Sequence, residues 1–360
     1  MKKIGVGIIG CGNINSIYME NLTKMFHNVE LLAICDLDSE KTRIAVEKYG
    51  VKHIYTIEEM LADEKIKIVV NLTTPIGHYE LCKRILLAGK NAYVEKPLSL
   101  SLEEGKELIA LAKEKGLLIG CAPDTFMGAG IQTAIKVIQD GIIGDVIGAT
   151  AFMMCHGHEN WHPAPEFYYK KGGGPMFDMG PYYLTALVSM IGSVDSVSGM
   201  TSKSFETRTI TSAPLYGTVI DVEIPTHVSG MLRFKNGAVA NIITSFDVWG
   251  STLPKIEVYG TRGSMIVPDP NCFDGEILVK QSFSNDFEKV PLLFKHSENS
   301  RGYGISDMAD CILNNRKDLC ASGEKALHVL EIMHAIHTSS NTGKQIQLTT
   351  FCDVPRPVEL

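Results

Sequence analysis

Short apolar runs alternate with stretches of helical spacing along the first third of the chain. Strands that alternate with helices in this way are typical of βαβ units around a parallel sheet. The pattern therefore predicts a doubly wound α/β domain over residues 1–122, with strands near positions 3–9, 29–35, 66–72, 90–94 and 117–121.

The remaining residues, 123–360, change to strands in succession. Asn236-Gly237 lies between two of these runs and is a strong hairpin indicator. Consecutive strands favour an α+β domain with a largely antiparallel open sheet, one face packed on helices and the other open to a second subunit. The predicted strands cover 146–155, 227–234, 238–246 and 255–259, and the predicted helices cover 131–139, 305–313 and 325–340.

Composition narrows the class of protein. With 360 residues, 45% hydrophobic and 21% charged, the chain has the make-up of a globular protein. The net charge is −7, and the sequence has no block of basic residues. No apolar run reaches the roughly 18 residues of a membrane helix. Nine dispersed cysteines without a C-x-x-C pair favour reduced thiols. We therefore expect a cytoplasmic protein that binds neither nucleic acid nor membrane.

The first apolar run ends in a glycine turn, Gly10-Cys11-Gly12-Asn13-Ile14-Asn15. Glycines there allow a tight turn and close approach of the backbone to a pyrophosphate, and the following helix N-terminus favours that anion. Asp36 ends the second strand, where a carboxylate binds adenosine ribose hydroxyls and repels a 2′-phosphate. The pattern predicts a Rossmann domain that binds NAD, with NADP disfavoured. A plain glycine turn with a capping Asp36 is the alternative.

Two further strand ends carry candidate cofactor contacts. Thr74, Pro75 and His78 follow the strand at 66–72, where they can either touch the cofactor or merely begin a helix. Glu95 and Lys96, which precede Pro97, follow the strand at 90–94. A lysine at that edge can reach both the nicotinamide ribose and a substrate hydroxyl, although on spacing alone a surface lysine before a turn is the better interpretation.

Taken together, these motifs resemble the Gfo/Idh/MocA family of oxidoreductases, named after glucose–fructose oxidoreductase, inositol dehydrogenase and rhizopine catabolism. The combination is G-x-G-x-x, an acidic end to the second strand, and E-K-P; in addition, residues 172–182 resemble the family's G-G-G-x-x-x-D-x-G-x-H segment. The resemblance spans essentially the whole chain. It implies hydride transfer on sugars, polyols or related alcohols and oligomerisation through the open sheet, as a homodimer or homotetramer.

The resemblance also implies roles for three residues. Lys96 matches the catalytic lysine, and Asp178 matches the carboxylate that binds substrate hydroxyls. Tyr182 stands where many members have a catalytic histidine. A tyrosine, with an ordinary pKa of about 10, would need help from Lys96, or Lys96 would itself take the proton. Their spacing would align Asp178 and Tyr182 on one helix face unless Pro181 kinks the helix or the helix begins near Gly180.

A histidine-rich segment follows the strand at 146–155. If the strand continues, His156 and His158 share a face and can join Glu159 or His162 in a three-ligand zinc set. The preferred interpretation is a substrate wall without metal, in which Trp161 offers an apolar plane and His158 and His162 bind hydroxyls.

The sequence therefore predicts an enzyme that transfers hydride between NAD and a secondary alcohol of a sugar or polyol. Three other functions are open at this point: an NAD-dependent glycosidase that oxidises its sugar transiently, a non-catalytic sensor that binds a dinucleotide, and a zinc hydrolase built on the histidine-rich segment.

Overall fold

The computed structural model describes residues 2–352, 354 and 358, so positions 1, 353, 355–357, 359 and 360 of the predicted domains lie outside the described residues. The chain forms two compact units. Residues 2–128 with 296–327 make the first unit, and residues 129–295 with 328–352 make the second. The segment 296–327, which the sequence grouped with the second domain, thus packs in the first unit.

The first unit is built on a parallel sheet, as the alternating pattern predicted. Six of the described strands form it in the order β3-β2-β1-β4-β5-β6. Each neighbouring pair is parallel, and the order reverses after β1, so the sheet is doubly wound. The strands are β1 (Ile4–Ile9), β2 (Val29–Cys35), β3 (His53–Ile54), β4 (Ile66–Asn71), β5 (Asn91–Val94) and β6 (Ile119–Cys121).

Helices join these strands and cover the sheet. Because both faces are covered, β1 is buried at every position. Ser101 and Glu104 form a capping box at the start of α5, and Thr56 with Glu59 does the same for α3. The helices are α1 (Asn15–Lys24), α2 (Ser39–Tyr49), α3 (Ile57–Ala62), α4 (Pro75–Leu87), α5 (Leu102–Lys115) and, later in the chain, α9 (Tyr303–Leu313).

The second unit holds a larger, mixed sheet. Among the described residues nine strands run in the order β16-β15-β14-β13-β7-β12-β11-β8-β17, and only the β7–β12 pair is parallel. The prediction of a largely antiparallel sheet is confirmed. The strands are β7 (Val146–Met154), β8 (Val194–Ser202), β11 (His227–Phe234), β12 (Val239–Ser245), β13 (Ile256–Gly260), β14 (Gly263–Val267), β15 (Ile277–Gln281), β16 (Glu288–Val290) and β17 (Ile346–Gln347).

Helices pack on one face of this sheet only. Ile336 of α10 lies against Gly199 and Gly230, where a Cβ on either glycine would come within 3 Å of it, so the absence of side chains lets the helix approach the strands closely. The helices of this unit are α6 (Ala129–Gln139), α7 (Pro175–Asp178), α8 (Gly180–Ile191) and α10 (Gly323–Thr342), of which residues 328–342 belong to it.

Local details confirm some predictions and correct others. Gly237, with φ of +93°, makes the predicted hairpin turn between β11 and β12. Strand β7 ends at Met154, so the predicted extension that would place His156 and His158 on one strand face is wrong. The sequence predicted no bounds for β3, β8, β9 (Thr207–Thr209), β10 (Val219–Asp221) or β14–β17. Of these, β3, β9, β10, β16 and β17 have only two or three residues and are too brief to show a period. No helix in the described part of the chain is both long and apolar enough to cross a membrane.

Candidate functional site

The glycine turn after β1 is shaped by backbone packing. Gly10 has φ of +105°, and a Cβ there would lie 2.6 Å from the carbonyl oxygen of Leu72, so the position requires glycine. Gly12 differs, because a Cβ there would meet nothing within 4 Å. Helix α1 then begins at Asn15, and Ile14 at its N-cap provides no side-chain hydrogen bond within the described structure. Open space before an uncapped helix N-terminus fits a pyrophosphate.

Asp36 lies at the carboxyl end of the adjacent strand, β2. Its Oδ2 accepts a hydrogen bond from the backbone nitrogen of Cys11 at 2.5 Å, and its Oδ1 accepts one from that of Asp38 at 2.8 Å. Burial and the nearby Asp36 carboxylate raise the pKa of the Cys11 thiol to about 12, so this thiol is neutral at physiological pH. These contacts fix Asp36 beside the glycine turn.

A cavity of about 580 Å³ opens at these strand ends, within the first unit. Two cationic side chains that the sequence did not single out, Lys41 from α2 and Arg84 from α4, also border it. Of the predicted cofactor residues, the cavity is lined by Gly10, Gly12, Asn13, Ile14, Asp36 and Thr74. The glycine turn, the helix N-terminus and the acidic strand end thus surround one space, and this arrangement fits a dinucleotide.

Pro75, His78, Glu95 and Lys96 are not among the described residues that line this cavity. Pro75 begins α4. His78 is fully buried, with Nδ1 2.6 Å from the carbonyl oxygen of Pro97 and Nε2 3.1 Å from that of Thr73. Desolvation lowers the pKa of His78. In this structure His78 therefore joins the loop after β4 to the loop after β5 and does not border the cavity.

Glu95 anchors the loop that carries Lys96. Its Oε1 accepts a hydrogen bond from the hydroxyl of Tyr18 at 2.7 Å, and its Oε2 accepts one from the backbone nitrogen of Lys96 at 3.0 Å. Both Tyr18 and Glu95 are buried, and the Lys96–Pro97 peptide is cis. Glu95 therefore fixes the position of the Lys96 backbone through the hydrogen bond that its Oε2 accepts.

In the second unit, Asp178 and Tyr182 belong to different helices. Asp178 ends the four-residue α7, and Tyr182 lies in the first turn of α8, which begins at Gly180 with Pro181 in that turn. The single continuous helix is therefore wrong and the start near Gly180 is confirmed, because a proline is tolerated in a first turn but not in a helix interior. Asp178 pairs with His158, whose Nε2 lies 3.3 Å from Oδ2.

Two histidines of the histidine-rich segment, His158 and His162, lie in different environments. His158 is buried against Asp178, while His162 contacts Trp161 and Tyr168 through its ring and accepts a hydrogen bond from the backbone nitrogen of Ala164 at 3.0 Å. Burial lowers the pKa of His162. Trp161 is 59% exposed and lines a second cavity, which lies within this unit. Across the described residues, no group of three or more His, Cys, Asp or Glu side chains could hold a metal ion.

Two family models match the chain. Residues 4–122 match the NAD-binding Rossmann domain of an oxidoreductase family, and residues 131–266 match the C-terminal domain of the Gfo/Idh/MocA proteins. The chain belongs to the Gfo/Idh/MocA family. It is an oxidoreductase with an NAD-binding Rossmann domain, as the motifs predicted, and the cavity beside Gly10 and Asp36 has the features that this cofactor needs.

The relatives described here match between 39% and 96% of this chain. The uncharacterized oxidoreductase YhhX of Escherichia coli (strain K12) is 32% identical over 39% of this chain and 40% of its own length. The uncharacterized oxidoreductase YrbE of Bacillus subtilis (strain 168) is 23% identical over 96% of this chain and 97% of its own. Myo-inositol 2-dehydrogenase of Thermotoga maritima is 27% identical over 72% of this chain and 73% of its own.

Solved structures confirm the fold along nearly the whole chain. Levoglucosan dehydrogenase in complex with NADH and L-sorbose superimposes with a TM-score of 0.83 at 21% identity, covering 97% of this chain and all of that one. Aldose-aldose oxidoreductase from Caulobacter crescentus, complexed with glycerol, has a TM-score of 0.80 at 22% identity, covering 96% and 100%. This Gfo/Idh/MocA protein therefore shares the architecture of those enzymes.

Proposed function

We propose that this family member oxidises, reversibly, a secondary alcohol of a sugar or polyol. The observation that carries the proposal is the match of Lys96, Asp178 and Tyr182 to the family's catalytic positions, together with the loop that Glu95 fixes at Lys96. The names of its relatives, myo-inositol 2-dehydrogenase and D-xylose dehydrogenase, support the substrate class.

In this proposal NAD⁺, when bound, supplies the acceptor for the hydride that leaves the carbinol carbon. The Nζ atom of Lys96, with the hydroxyl of Tyr182, takes the proton of the reacting hydroxyl, so that the alcohol becomes a carbonyl. The carboxylate of Asp178 accepts a hydrogen bond from a substrate hydroxyl and orients the ring. His158 holds that carboxylate through Nε2, and Trp161 and His162 complete the wall around the substrate.

The test is a panel of sugars and polyols, scored by absorbance at the NADH band with NADP⁺ run alongside. At least one member of the panel should give NADH steadily, and Lys96→Met should lower kcat by about 10³-fold because the proton acceptor is lost. Lys65→Met, at an exposed lysine of the same unit, is the matched control and should keep full activity.

Three outcomes would contradict the proposal. A panel without any NADH formation excludes a sugar or polyol dehydrogenase. Release of an aglycone without net NADH would indicate the transient oxidation of a glycosidase. A Lys96→Met protein that keeps its activity would show that Lys96 is not the acid or base.

We also propose that the protein is a homodimer or homotetramer joined through the open face of the nine-stranded sheet. Several side chains on that face are apolar and exposed, among them Met200 at 79% and Met231 at 55%. The odd, dispersed set of nine cysteines supports a reducing compartment, and we place the protein in the cytoplasm on that ground.

A further inference from the structure

A second cavity, of about 700 Å³, lies within the second unit beside β9. Its walls include three exposed aromatic side chains, Trp161, Phe205 and Trp249, with 59%, 41% and 84% of their surface accessible. Exposed aromatic rings grouped at a cavity mark a binding site, because such surface is otherwise removed from water. Asn160 and the threonines of β9 add neutral polar groups to the same walls.

The orientation of Trp249 is set by its neighbours. Its ring stacks on that of His156, with centroids 3.3 Å apart and planes 14° from parallel. His156 is held in turn by Arg208, whose Nη1 donates toward His156 Nε2 at 3.3 Å. A flat apolar ring fixed in this way offers a platform to the face of a sugar ring, and it loses little side-chain entropy on binding.

The charges beneath the cavity exclude an anionic ligand. Arg208 is the one cation among the described residues that line it, and this guanidinium is already paired with two buried carboxylates. Its Nη1 lies 3.3 Å from Glu159, and its Nη2 lies 2.5 Å from Asp247. One positive and two negative charges leave the cluster with a net charge of −1. A phosphate or carboxylate would therefore be repelled, whereas uncharged hydroxyls would not.

The cavity adjoins the side chains assigned to substrate in the same unit. His158 contacts Asp178 at 3.3 Å, while the residues on either side of it, Gly157 and Glu159, line the cavity. The ring of Trp161 meets that of His158 edge-on, with centroids 5.2 Å apart. One short segment thus connects the proposed substrate-orienting carboxylate to the aromatic walls.

We propose that this cavity is a subsite for a second, uncharged sugar ring, so that the preferred substrate is a neutral glycoside or disaccharide. The inference rests on the proposed function for the identity of the first ring. The second ring stacks on Trp249 and Trp161, and its hydroxyls bind Asn160 and the β9 threonines.

The chain offers a direct probe, because its two tryptophans, Trp161 and Trp249, both line the cavity. Intrinsic fluorescence of the protein without NAD is titrated with cellobiose, maltose and lactose, and separately with glucose and xylose. At least one disaccharide should give a saturable change with a midpoint about tenfold or more below that of either monosaccharide.

Trp249→Ala should remove the preference for the disaccharide, with Trp161 still present to report binding. Trp249→Phe should keep most of it, since the ring still stacks on His156. Phe283→Ala, at an aromatic residue that is 81% exposed and lies outside the cavity, is the matched control and should titrate like the wild type.

No saturable change with any disaccharide up to about 100 mM, equal midpoints for mono- and disaccharides, or a preference that survives in Trp249→Ala would each overturn the subsite. Because the titration needs no turnover, its failure is distinguishable from a failure of the dehydrogenase proposal. A protein that oxidises monosaccharides but shows none of these fluorescence changes keeps its proposed function and loses only the second-ring site.

Discussion

At the scale of single residues, charge at one strand end decides which dinucleotide fits. The Asp36 carboxylate borders the cofactor cavity, and Lys41 and Arg84 border it as well. Both cations are held by partners outside the cavity lining: Lys41 lies 3.8 Å from Asp38, and Arg84 lies 2.7 Å from Glu58. Asp36 is therefore the acidic group of β2 that a 2′-phosphate would meet, and NAD is favoured over NADP.

Asp36→Asn tests this balance because it removes the charge with little change in shape. The amide has one oxygen, so it can accept from only one of the two N–H groups, of Cys11 and Asp38, that the carboxylate binds. We expect kcat/KM for NAD⁺ to fall about tenfold, which corresponds to roughly 1.4 kcal/mol. We expect kcat/KM for NADP⁺ to rise, since the cavity that Lys41 and Arg84 border then has one carboxylate fewer, with Glu80 remaining. Initial rates with both cofactors give the ratio. Glu47→Gln, at an exposed residue of α2 that does not line the cavity, is the control, and an unchanged ratio in Asp36→Asn would contradict the assignment.

Residue patterns predicted the cofactor site better than the rest of the chemistry. The glycine turn and Asp36 are encoded within one βαβ unit, so the local sequence brings them together. No short motif predicts Lys41 and Arg84 at the cavity, because long side chains on helices reach it from positions outside the glycine turn and the strand ends. The Arg208 cluster is harder still, since its pairing with Asp247 joins two elements 39 residues apart that only the fold brings together.

At the scale of elements, long periodic segments were predicted well and irregular ones were not. The strands of the first sheet other than β3, and hairpin β11–β12, follow clear apolar patterns, and the structure has them within a few residues of the expected bounds. The segment after Met154 leaves the strand because its side chains pair in different directions, His158 with Asp178 and Glu159 with Arg208. Such pairings depend on tertiary partners and leave no period in the sequence.

Helix α10 provides an element-scale prediction through His328, which is fully buried. Its Nε2 accepts a hydrogen bond from the backbone nitrogen of Val194 at the start of β8, at 3.0 Å, and its Nδ1 donates to the hydroxyl of Thr350 at 2.9 Å. The first contact needs the neutral ring, because a protonated Nε2 cannot accept, whereas Nδ1–H can donate in either protonation state. Desolvation lowers the pKa of His328 to about 4, with Lys235 acting in the same direction and Glu331 opposing it.

Because the folded-state pKa lies below the ordinary value of about 6.5, the unfolded chain binds more protons between these two pH values. The stabilisation is therefore fully present above about pH 6.5 and is lost as the pH falls toward 4. We expect His328→Gln, although less stable at pH 7, to lose about 2 kcal/mol less than the wild type between pH 7 and pH 5.

Urea unfolding followed by the fluorescence of Trp161 and Trp249, both in the second unit, measures this difference. Between pH 7 and pH 8 the two proteins should run parallel, which serves as the internal control. Equal losses between pH 7 and pH 5 would show that His328 is not the titrating group.

At the scale of the whole molecule, the proposed homodimer or homotetramer depends on the open face of the nine-stranded sheet. Strand register places Met200 and Met231 on the same face of the sheet, opposite to the face on which Gly199 and Gly230 meet Ile336. Met231 pairs with Ser198 and Asn241, and Met200 pairs with Ser229. Apolar side chains spread over several strands and mixed with small polar groups resemble the composition of an interface more than that of a solvated sheet face.

Charge placed on this face should separate the subunits without unfolding them. We expect the wild type to sediment as a dimer of about 79 kDa, twice the chain mass of 39.4 kDa, or as the corresponding tetramer. The double variant Met200→Glu/Met231→Glu should sediment as a monomer, because two-fold symmetry brings each new carboxylate into the buried interface and leaves it unpaired. Ile44→Glu/Leu87→Glu, at two side chains of the first unit that are 50% and 55% exposed, introduces the same charge and should keep the wild-type mass. A wild type that is already monomeric at micromolar concentration, or a Met200/Met231 variant that stays associated, would place the subunit contact elsewhere or remove it.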